Sequence, residues 1–228
     1  MNKIAIVLLA ALALLASCRA LDGVANTSVK SFEAMLGALP EAPKQTDSGV
    51  DFSQWTLAAP DKTATFTWND DIYAANGLTA RLEFSAEPFV KAGLAGGKFD
   101  LPGGTLANGA ISIAANLPAT GKIDSNTTPG TALGAYKIVT QAARNRIGYH
   151  AALDHFGVDL GGGNMFEWAK DLSTNEKDIV FVLNPEPFIA AGVDPNRVEG
   201  WVYAKVPTMD ERGRKIEVDK LLKPFNLR

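Results

Sequence analysis

The sequence predicts an α+β fold: two related halves, each a strand, a short helix and a strand, joined by a long central helix. Three observations predict it. The stretch 66–94, FTWNDDIYAANGLTARLEFSAEPFVKAGL, returns at 166–193 as FEWAKDLSTNEKDIVFVLNPEPFIAAGV, with Phe66/Phe166, Trp68/Trp168, Asp71/Asp171, Glu-Pro-Phe and Ala-Gly in common. Within each copy an apolar strand pattern runs into a helix-start signal. Between the copies, residues 129–156 carry apolar side chains at helical spacing.

In the first copy Leu82 and Phe84 alternate with Arg81 and Glu83, as in a half-buried strand. The second copy has Ile179 to Leu183 instead, an unbroken apolar run suited to a strand covered on both faces. Ser85 and Asn184 then stand as helix caps, followed by Glu87-Pro88-Phe89 and Glu186-Pro187-Phe188. Side-chain oxygens of Ser and Asn accept orphan amide protons, Pro has none to lose in a first turn, and Glu answers the positive end of the helix dipole. Phe84 with Phe89, and Leu183 with Phe188, have the spacing of a hydrophobic staple, and Gly93 and Gly192 fall where a helix needs a left-handed terminal residue. Glu87 and Glu186 could also form a pseudo-symmetric carboxylate pair. The capping pattern accounts for them without that role.

Around the copies, Thr27 or Ser28 caps a first helix over Val29–Leu39, and PEAPKQTDSGVD at 40–51 reads as a linker. TATFTW alternates like a strand, as do the residues Ala110 to Leu117. Gly96-Gly97 and Gly103-Gly104 lack the spacing of a phosphate loop and are turns. The central helix starts at Thr128-Pro129 and stops at Gly157, with apolar residues on more than one face. Gly161 to Asn164 connects it to the second copy. Val198 to Val206 is a strand, Gly213 marks a hairpin tip, and Ile216 to Leu222 is a last strand or helix. The organisation is therefore 1–17 an export signal, 18–51 a first helix and linker, 52–128 the first half, 129–163 the connecting helix and glycine-rich loop, and 164–228 the second half.

The export signal rests on Lys3, on twelve apolar residues from Ile4 to Leu15, and on Leu15-Ala16-Ser17 leading into Cys18. Such a run is too short to cross a bilayer. The ending resembles the lipobox of bacterial lipoproteins, and the resemblance covers residues 1–18 only. It implies cleavage before Cys18, acylation of that residue by several chains, and attachment to a membrane facing the periplasm or the exterior. Arg19 in place of Asp after the cysteine implies the outer membrane in a Gram-negative host.

Cys18 is the only cysteine, so acylation leaves no thiol for a disulfide, a thiolate metal site or a cysteine nucleophile. A net charge of −3 with mixed signs gives no footprint for nucleic acid. No cofactor fingerprint, metal-binding pattern or Gly-x-Ser-x-Gly elbow occurs. Two functions stay open. One is a non-catalytic envelope protein that binds a ligand or a protein partner between its halves, with Trp55, Trp68 or Trp201 either lining the cleft or filling the core. The other is an envelope hydrolase built on His150 and Asp154, one helical turn apart, assisted by Arg144 or Arg146. His150 and His155 would lie about 140° apart on a helix, a poor arrangement for one metal.

Overall fold

The structure is a computed structural model that describes residues 27–38, 45–46, 53–69, 78–117, 133, 136–137, 140, 147–150, 154–170, 172, 178–210 and 212–227. The signal, Cys18, Asp71, Asp171, Arg144 and Arg146 lie outside them. What is described is mostly β, with two antiparallel sheets of six strands.

The first sheet contains β1 (Gln45–Thr46), β2 (Ser53–Ala58), β3 (Ala64–Asn69), β4 (Leu78–Ser85), β5 (Gly104–Ala107) and β6 (Ala110–Leu117), in the order β1-β2-β3-β4-β6-β5. The second contains β7 (Ile147–His150), β8 (His155–Gly161), β9 (Asn164–Ala169), β10 (Ile179–Leu183), β11 (Val202–Met209) and β12 (Lys215–Phe225), in the order β7-β8-β9-β10-β12-β11. The two orders are the same. Helix α1 (27–38) precedes the first sheet, and α2 (Glu87–Lys91) and α3 (Glu186–Ala190) follow the fourth strand of each.

The expected α+β fold with a long central helix is incorrect. Leu133, Tyr136, Lys137 and Thr140 are helical, but Ile147–His150 and His155–Gly161 pair as an antiparallel hairpin. The reason lies in the local pattern. Phe156, Val158 and Leu160 alternate with Gly157 and Asp159, a period of two, and Asp154 at φ 53° turns the chain where a helix would have to continue. Ile147–His150 and His155–Gly161, expected as connector, are thus two strands of the second sheet. β1 likewise falls inside the expected linker 40–51.

At each short helix the chain takes one conformation twice. Ser85 and Asn184 sit one residue ahead of the geometric caps, Ala86 and Pro185, and accept from the Glu87 and Glu186 amides at 3.2 and 3.1 Å. The five-residue helices end at Gly93 (φ 113°) and Gly192 (φ 99°), where Leu94 and Val193 amides donate back to the Phe89 and Phe188 carbonyls at 2.9 Å. Helices this short hold only by packing. Here they pack on each other: Ala95 N–H donates to Ala191 O at 3.0 Å and Asp194 N–H to Ala92 O at 2.9 Å, a reciprocal pair about a pseudo-twofold axis.

The core lies along that axis and is largely aromatic. Phe66 stacks on Phe166 with centroids 3.9 Å apart, Phe32 stacks on Tyr136 at 4.1 Å, and Phe89 meets Phe188 at 4.7 Å. Trp68 and Trp168 are buried beside Phe32 and Tyr136. The Trp168 indole donates to Ser31, so α1 helps to close the interior of the second half. Lys223 is buried and reaches Asp61 of the first half at 2.7 Å.

Candidate functional site

Strand alternation decides where a site can form. In β9, Phe166 and Trp168 point to the core, so Met165 and Glu167 point to the opposite face of the sheet. In the first sheet the same sequence frame holds Thr67 between Phe66 and Trp68. There the outer face is polar: Arg81 and Glu83 are exposed, and the Thr56 and Thr67 hydroxyls meet at 3.4 Å. The second sheet carries apolar residues on that face, and β10 is buried along its whole length.

What buries them is the curl of the sheet itself, which brings a side chain of one edge strand within hydrogen-bond reach of the other edge. The His150 Nε2 of β7 lies 2.9 Å from the Pro207 carbonyl of β11. Inside the roll is a cavity of about 270 Å³, walled by Met165, Val182, Val206, Val218 and Leu222, with Tyr149, His150, Glu167 and Lys220 as its ionisable lining. Gly157 opens the floor, since a β-carbon there would press on Glu167 Cγ at 3.0 Å and Met165 Cε at 3.1 Å.

Glu167 is 1 % exposed. Its oxygens face His150 Nδ1 and His155 Nδ1, each at 3.5 Å. Burial raises its pKa, but the two imidazoles outweigh burial and hold the carboxyl below its ordinary value. Glu167 in turn raises the His150 pKa, helped by the Pro207 carbonyl and opposed by burial and by Lys220. Both ring nitrogens of His150 face acceptors, so only the imidazolium satisfies both. Lys220 Nζ donates to the Gly163 carbonyl at 2.8 Å, and burial lowers its pKa.

No family model, no curated protein and no solved structure matches this chain. The site therefore rests on its own geometry.

That geometry separates the residues the sequence put together. Asp154 accepts from the Tyr149 hydroxyl and lies 4.0 Å from Lys170, away from His150. His150 pairs with Glu167, a residue the sequence reasoning passed over, and with His155 as its cross-strand neighbour. Glu87 is exposed and paired with Lys91 at 2.8 Å, and Glu186 is exposed as well, so the two do not share a hollow. Trp68 is core and Trp201 is half-buried, 5.9 Å under Lys223; the Trp55 side chain lies outside the described residues. Between the halves the described residues pack ring on ring. The concavity is within one half. Among the described residues no group of histidine and acidic side chains is arranged to hold a metal ion, and no helix is long and apolar enough to cross a membrane.

Proposed function

We propose that this chain is a membrane-anchored lipoprotein of the bacterial cell envelope, of binding type, whose ligand site is the cavity of the rolled second sheet. The cavity carries the reading: an apolar chamber with a few convergent polar groups is the usual form of a small-molecule site. Lys3, the apolar run and Cys18 support the anchor. The hydrolase alternative needs an imidazole nitrogen free to take a proton from substrate or water. His150 has both nitrogens facing acceptors, and among the described residues no hydroxyl nucleophile is hydrogen-bonded to it.

Two measurements test the proposal. Cys18→Ser should move the protein from the membrane to the soluble fraction, and retention in the membrane would remove the anchor. With that soluble protein, 1-octanol should raise the melting temperature in proportion to the logarithm of its concentration once the site is saturated. A melting temperature that stays fixed or falls at every octanol concentration would remove the site.

A further inference from the structure

The charges around the cavity do not cancel, and the remainder indicates what kind of molecule fits. Glu167 lies between two imidazoles, Oε1 3.5 Å from His150 Nδ1 and Oε2 3.5 Å from His155 Nδ1, the second contact too poorly aligned to be a hydrogen bond. With His150 as imidazolium, that pair is neutral. Lys220 is different. Its ammonium is half-buried, it donates to one backbone carbonyl, and among the described residues no carboxylate forms an ion pair with it. Glu167, Asp159 and Glu186 act on it only from a distance, too weakly to offset the loss of water around the charge.

A half-buried ammonium that donates to one carbonyl has two further N–H donors to offer a ligand, and partial loss of water makes an anion there more favourable than in bulk solvent. Beside it runs an aliphatic wall of Val182, Val206, Val218 and Leu222. An anionic head on an apolar body would meet both needs at once. A cationic head would find the one carboxylate of the lining 1 % exposed behind the His150 imidazolium, with the Lys220 ammonium as a second positive group in the same cavity.

Resting on the reading of the cavity as a ligand site, we propose that it takes a small aliphatic monocarboxylate, with its carboxylate on Lys220 Nζ and its chain against Val182, Val206, Val218 and Leu222. The class is set by the head charge and by the apolar walls; the chain length follows from the cavity's size.

Calorimetric titration of the Cys18→Ser protein with octanoate, 1-octanol and octylamine tests this, since the three share one tail. A charge-assisted hydrogen bond in a partly buried site is worth about 1.5–3 kcal/mol, so octanoate should bind roughly tenfold or more tighter than 1-octanol. Octylamine should bind weakest. Lys220→Met keeps the length and apolarity of the side chain and should bring octanoate down to the affinity of 1-octanol. Octylamine binding as tightly as octanoate, or octanoate binding no tighter than 1-octanol in the unaltered site, would overturn the head assignment and leave the cavity standing as a site. Failure of all three to bind would overturn the cavity reading and this inference with it. The comparison of the three tails needs no Lys220 variant, so it holds even if that variant does not fold.

Discussion

Gly93 and Gly192 meet back to back at the pseudo-twofold axis. A β-carbon on Gly93 would stand 2.5 Å from the Gly192 carbonyl oxygen, and one on Gly192 would stand 3.1 Å from the Gly93 oxygen. Both residues hold positive φ, at 113° and 99°. Two demands therefore coincide at each position, one of conformation and one of space. Because the obstacle is backbone, it cannot swing aside as a flexible side chain would.

Gly93→Ala should accordingly cost about 2–4 kcal/mol, combining the strain of a positive φ with overpacking. Gly192→Ala should cost less, about 1–3 kcal/mol, since its contact is looser. Urea unfolding of the two variants checks the order. Equal small losses, or a larger loss at Gly192, would mean that the halves do not approach through these residues.

Phe66 and Phe166 stack nearly parallel, with an interplanar angle of 2° and both rings buried. Truncating either to Ala should cost about 3–5 kcal/mol. The double variant should lose less than the sum, with a coupling of about 0.5–1.5 kcal/mol beyond shared area. Strict additivity in that cycle would place the rings apart in solution.

The His150–Glu167 pair predicts a pH optimum of stability. The His150 pKa is raised above 6.5, so its contribution is whole below 6.5 and disappears as pH climbs through the raised value. The Glu167 pKa is lowered from 4.5, so its contribution is whole above 4.5 and disappears as pH drops through the depressed value. Both are in force between pH 4.5 and 6.5. Unfolding free energy measured from pH 3 to 9 should show both limbs, and His150→Gln should flatten the alkaline one. An alkaline limb of unchanged steepness in that variant would detach His150 from the pair.

Gly157 and Thr56 occupy equivalent places, each across from the middle residue of its Phe-x-Trp frame: Glu167 in one sheet, Thr67 in the other. Gly157→Ala should push Glu167 and Met165 into the cavity, lower stability by about 1–3 kcal/mol and abolish the rise in melting temperature given by 1-octanol. Thr56→Ala should leave that rise untouched. An octanol response surviving Gly157→Ala would move the ligand elsewhere.

Much of the fold could be read from the local grammar of the repeat, because capping, stapling and glycine termination act within a few residues. The strands on either side of Glu87 and Glu186 follow the same logic. The central helix was misread because Ile147, Tyr149 and Phe156 satisfy a helical spacing as well as a strand one, and only long-range pairing with β9 chooses between them. The site was hidden for a related reason. Glu167, Gly157 and Lys220 come from three strands and converge only when the sheet rolls, a step with no local signature. One trace of it was present: Val180 and Val182 stand where the first half has Arg81 and Glu83, so the second sheet needed a cover for its outer face. The roll supplies that cover.

That the cavity of the second sheet is where this protein meets its ligand is tested most directly by following methionine methyl signals in carbon-13 NMR during an octanoate titration. Met165 lines the cavity, Met35 lies in the core at 2 % exposure, and Met209 stands at the outer hairpin at 58 %. The Met165 methyl should shift in a saturable way while those of Met35 and Met209 hold still. A Met165 signal that stays fixed as octanoate reaches saturation, or equal shifts at all three, would contradict the assignment of the cavity as the binding site.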